Sequence, residues 1–189
     1  MGDFAMLRLI PALVFILIAA VLSAQQTEPE TPEVQQEIEG PMTMERLATI
    51  VTALDPEVTA QGPTLQFHID NLPVMIVADP VADRMRALVP IASAEGLSEK
   101  EMLRMMQANF DAALDARYAI ANGRLWGVFI HPLSPLKKDQ LISGLVQTVT
   151  VARTYGTAFT GGGAIFGGGD TGEIYRNLLE DLRKKGEAL

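Results

Sequence analysis

Tyr118-Ala119-Ile120, Asn122-Gly123 and Leu125-Trp126-Gly127-Val128-Phe129-Ile130 decide how this chain folds. Two short apolar runs flank Asn-Gly, the dipeptide that accepts the positive φ angles of a two-residue hairpin turn. The stretch therefore predicts an antiparallel pair that Pro132 ends. Upstream, Ser98-Glu99-Lys100-Glu101 has the spacing of a capping box and opens a helix. That helix sets Met102, Leu103, Met106, Phe110, Ala113, Leu114 and, at its end, Arg117 at helical intervals. Downstream, Ser134-Pro135 reads as an N-cap with proline at the first helical position. The helix that follows carries Leu136, Leu141, Leu145, Val149 and Ala152.

Further toward the N-terminus, Thr43 caps a predicted helix whose face is Leu47, Ile50, Val51 and Leu54, and Asp55-Pro56 stops it. Leu65, Phe67 and Ile69 alternate with Gln66 and His68 as a half-buried strand. Val74 to Val77 reads as a second strand, and Met85, Ala87, Val89 and Ile91 as a third. The order is helix, three strands, helix, two strands, helix. Hairpin-length connections imply an antiparallel sheet that the helices cover, an α+β two-layer domain.

This order resembles the fold shared by the YbjN family and the class I type III secretion chaperones, the Tir-chaperone-like fold. The resemblance spans roughly 44–155. It rests on the helix leading into Arg117-Tyr118-Ala119-Ile120, on the Asn122-Gly123-Arg124-Leu125 hairpin and on Ser134 opening the last helix. It implies a homodimer or partner-binding module and carries over no catalytic residue, metal or cofactor.

Outside that domain the chain is divided into segments of different composition. Arg8 precedes a stretch without charge from Leu9 to Ala24, ending in the small residues Ser23-Ala24. A basic head, an apolar middle and a small-residue end are the parts of a secretory signal, assigned to 1–24 with cleavage after Ala24. A retained segment would instead anchor the chain in the inner membrane with its domain in the periplasm. Either fate makes the body a periplasmic or secreted protein. Residues 25–41 read as an acidic disordered linker holding Glu28, Glu30, Glu33, Glu37 and Glu39. The domain, 42–155, is then close to neutral, although the whole chain has a net charge of −8. That balance argues against nucleic acid as a partner and leaves the membrane only through an uncleaved N-terminus. With no cysteine, thiol catalysis and disulfides are excluded.

Residues 156–170 read as a glycine-rich linker in which Ile165 and Phe166 stand between two glycine triplets. In 171–189, Ile174, Tyr175, Leu178, Leu179 and Leu182 form one face of an amphipathic helix. Such a helix on a tether must bury its stripe on its own domain or on another chain. These residues and Trp126 are the candidate partner contacts. His68 and His131 have no ligand at metal spacing. No serine lies in a nucleophile elbow. Asp111 and Asp115, one turn apart beside Arg104 and Arg117, read as a solvated face. Trp126 alternates with Leu125 and Gly127 on the face of Val128, read as core. The function expected is an exported, non-enzymatic, chaperone-like protein-binding module without a cofactor. It would act by burying the terminal helix, or by strand pairing along the sheet edge, against a protein partner or a second copy. The alternatives are an envelope hydrolase and a membrane-tethered structural protein.

Overall fold

Local chemistry forms the hairpins, and the hairpins form the sheet. The computed structural model describes residues 39–111, 114–155 and 171–187; the N-terminal apolar and acidic segments up to Ile38, and Ile165 and Phe166, lie outside them. Helix α1 (Met44–Leu54) is followed by β1 (Thr59–Gln61), β2 (Thr64–Ile69), β3 (Leu72–Asp79) and β4 (Arg84–Ser93). Then come α2 (Glu99–Asp111), β5 (Arg117–Ala121), β6 (Arg124–Pro132), α3 (Lys138–Arg153) and α4 (Thr171–Gly186). The strands make one six-stranded antiparallel sheet in the order β1-β2-β3-β4-β6-β5. The fold is α+β, as the element pattern implies.

Positive φ angles of 51° at Asn122 and 70° at Gly123 make the β5–β6 turn. Asp70 and Asn71, at 51° and 64°, turn β2 into β3 in the same way. Short polar side chains tolerate this conformation where bulkier ones do not. Strand β1 escapes a reading by alternation because all three of its residues are exposed.

Alternation divides the sheet into two unlike faces. Leu65, Phe67, Ile69, Val74, Ile76, Ala78, Met85, Ala87, Val89 and Phe129 are buried under α1, α3 and α4. Helix α3 comes close to β6 because both sides are stripped of bulk. A Cβ on Gly144 would stand 2.6 Å from the Phe129 ring, and one on Gly127 3.0 Å from the Thr148 carbonyl oxygen. A smaller cluster of Met105, Ala108, Ala116, Tyr118, Leu125 and Val151 joins α2 to the β5–β6 end.

Two expectations about helix boundaries change. Ser98 and Glu101 do form the capping box: Glu101 N donates to Ser98 Oγ at 3.2 Å and Ser98 N to Glu101 Oε2 at 2.8 Å. Ser134, however, does not cap α3, which begins at Lys138. Its N–H and hydroxyl donate to the Asp83 carboxylate at 2.7 and 2.9 Å, tying the β3–β4 turn to the approach of α3. Asp115 is likewise not on α2 with Asp111, because the helix ends at Asp111.

The terminal helix packs on its own domain. It runs antiparallel to α3, with Ser143 Oγ 3.0 Å from the Tyr175 hydroxyl and Lys138 Nζ donating to the Gly186 carbonyl at 3.2 Å. Leu178 and Leu182 enter the main core, with Leu182 only 2% exposed, and Tyr175 and Leu179 lie against it.

Candidate protein-binding surface

Helix α2 offers its apolar side chains to solvent. Leu103 and Met106 are each 57% exposed and Phe110 78%, with Met102 beside them. Helical spacing groups these positions on one side of the helix but does not say whether that side is covered. The buried residues are Met105 and Ala108, on the opposite side of the same helix. At 100° per residue, positions 102, 106, 110 and 103 trace one continuous arc of roughly 100°. The arc borders a groove of about 290 Å³ lined by Met102, Met105, Met106, Tyr118, Ala119, Ile120 and Leu125. Its walls are almost wholly apolar, and methionine thioethers adapt their shape to what they contact.

Side chains from outside the sheet occupy part of its edges. Tyr118 N donates to Asn109 Oδ1 at 2.7 Å, and Asn109 Nδ2 donates to the Tyr118 carbonyl at 3.2 Å. The Asn109 amide thus takes the place that a neighbouring strand would occupy on β5. At the other edge β1 covers only part of β2. There the Asp55 carboxylate accepts from His68 N at 2.8 Å and from Glu57 N at 3.0 Å. Those two backbone donors hold the Asp55 carboxyl below its ordinary value. On β5 the Asn109 contact occupies the outward groups of Tyr118, and on β2 the Asp55 carboxylate occupies the N–H of His68.

Gln147, buried on α3, holds the segment between α2 and β5. Its Oε1 accepts from Asp115 N at 2.7 Å and Ala116 N at 3.1 Å, while Nε2 donates to Ser143 Oγ at 3.2 Å. The Tyr118 hydroxyl donates to the Val151 carbonyl at 2.9 Å. Burial pushes this phenol up to about 12 from 10.0. These contacts fix the groove floor and leave α2's outer arc free.

The other anticipated residues fall elsewhere. Trp126 is not core: it stands half-buried on the sheet face away from the helices, with Nε1 donating to the Ala121 carbonyl at 3.1 Å. Leu178 and Leu182 are spent on the chain's own α1 and α3, and Ile174 borders the same seam. That seam includes a polar cleft of about 410 Å³ holding His68, Asp70, Arg153, Asp181 and Lys185. Its charges are matched in pairs, Arg153 with Asp70 and Lys185 with Asp181 at 3.1 Å, which suits a joint more than a reaction centre. His131 lies stacked on Phe129 at 5.9 Å. Among the described residues no group of three or more His, Asp or Glu could hold a metal ion, and no helix is long and apolar enough to cross a membrane.

No protein-family profile matches the sequence, and no curated protein matches it. Among solved structures, a chain of the HopA1–SchA chaperone–effector complex is 13% identical with a TM-score of 0.44. The match covers 61% of this chain and 98% of that one. A chain of the ExsC–ExsE complex is 10% identical with a TM-score of 0.47, covering 62% and 98%.

Proposed function

We propose that this chain is an exported, non-enzymatic module of the bacterial envelope that acts by binding protein, and that a second copy docks on its α2–β5 face. The carrying observation is the exposed arc of Met102, Leu103, Met106 and Phe110 beside the apolar groove. A contiguous apolar surface costs solubility and is kept where something covers it. The arc is self-complementary: two α2 helices crossing antiparallel about Met106 set Met102 of each against Phe110 of the other. A two-fold interface requires such reciprocity. The export half of the proposal is supported by the uncharged run from Leu9 to Ala24 behind Arg8.

Sedimentation equilibrium tests the docking. The chain is expected to dimerise and Met106→Glu to be monomeric, melting like the parent diluted until it is monomeric. A parent chain that stays monomeric at every attainable concentration sinks the proposal. Protease accessibility in intact spheroplasts tests the export; a body protected until lysis would remove that half.

A further inference from the structure

The charged side chains of the six strands are Asp79, Arg84, Arg86, Arg117 and Arg124. Alternation puts all of them on the bare face, away from the helices. In a chain with net charge −8, this face is cationic. Some of its arginines are occupied. Arg84 sits opposite Asp79 in register and beside Asp83, whose carboxyl it helps hold down. Arg117 donates to the carbonyls of Leu114 and Ala116. The other two are not matched: Arg86 makes no ion pair among the described residues, and Arg124 lies 5.9 Å over the Trp126 ring.

Between those two arginines runs an apolar ladder along β4 and β6. Arg86 stands opposite Ile130, Leu88 opposite Val128, and Pro90 opposite Trp126; Arg124 closes the row opposite Ser93. Ile130 is 57% exposed, and Leu88, Pro90, Trp126 and Val128 are half-buried. From Ile130 to Arg124 is six residues along one strand, roughly 20 Å.

We infer that this face docks an extended acidic segment of a partner protein. Two carboxylates about six residues apart meet Arg86 and Arg124, and apolar side chains between them lie on the ladder. Charge complementarity selects this occupant. Arginine and tryptophan are the side chains that anchor such contacts. An anionic lipid surface fits less well, because its headgroups offer charge but no apolar side chains spaced to lie on the ladder between the two arginines. The inference rests on reading the chain as a protein-binding module, but it uses a surface separate from α2.

Trp126 is the only tryptophan, so its emission reports this site alone. The full chain is titrated with the peptide Glu-Thr-Val-Ser-Phe-Thr-Glu and with its counterpart bearing lysine at both ends. The glutamate peptide is expected to shift Trp126 emission saturably, about tenfold more weakly in Arg86→Glu or Arg124→Glu and at high salt. The lysine peptide should bind those variants better than it binds the parent. Both arginines are exposed, so the variants should melt like the parent. Equal binding of the two peptides, indifference to Arg86→Glu, or no binding would overturn the inference. So would an emission shift with phosphatidylglycerol vesicles but not with the peptide. Repeating the titration in Met106→Glu separates the two proposals: a monomeric variant that still binds the peptide keeps this one, and a parent chain that dimerises but ignores the peptide keeps only the other.

Discussion

Helices α2 and α4 are both amphipathic, and their apolar stripes meet opposite fates. In α4, Leu178 and Leu182 sink into the main core against α1 and α3. In α2, Met105 and Ala108 suffice to hold the helix down, and Met102, Leu103, Met106 and Phe110 are left outside. The difference lies in what is underneath. Helix α4 meets α1 and α3, of which α3 rests on the central strands β4 and β6 and α1 on β2. Helix α2 rests on β5, an edge strand of five residues, and on β6. That support is too narrow to cover a helix whose apolar residues surround more than half its circumference. Periodicity reports that a stripe exists, and the area of the opposing surface decides whether it is buried.

The contrast can be broken by mutation. Leu182→Ala should cost about 2–5 kcal/mol in urea denaturation, the range for truncating a fully buried leucine; a cost below 1 kcal/mol would mean that α4 is only loosely laid on the domain. The α2 side can be probed by alkali. Tyr118 has its folded pKa raised to about 12 from 10.0, so above pH 10 the unfolded chain loses a phenolic proton that the folded chain keeps. Stability is therefore whole below pH 10 and falls as pH rises toward 12, by on the order of 2 kcal/mol. Tyr118→Phe should flatten that slope in denaturation curves taken across the window. An unchanged slope would move its cause away from the α2 cluster.

Asn109→Ala removes the amide that occupies part of the β5 edge and should cost about 1–3 kcal/mol, since two backbone groups lose their partner. It should also raise thioflavin-positive aggregation by freeing the edge. Met106→Ala should lie within about 0.5 kcal/mol of the parent in monomer stability, because its side chain is mostly in water. A larger loss would show that α2's outer arc is packed after all, and the contrast with α4 would fail.

Much of the architecture was legible. Asn122-Gly123, the capping box at Ser98 and Glu101, and Thr43 before α1 act within a few residues, so their geometry follows from neighbouring chemistry. The failures involve distant partners. Ser134 has the local form of an N-cap, yet Asp83, 51 residues away, takes its hydroxyl. Trp126 alternates with Leu125 as expected, but alternation cannot say which of two faces the helices will cover. The arginines of the bare face are scattered over β4, β5 and β6, and only the strand register assembles them beside Trp126.

The sequence by itself determined every element but β1, their antiparallel hairpins and the α+β class, because turns, caps and periodicity are settled over a few residues of chain. Tertiary structure alone decided which apolar stripes remain exposed, which sheet face stays bare, and that α4 returns to its own domain. Those outcomes depend on the area and charge that remote segments bring together, and no short stretch of chain contains both sides of such a contact.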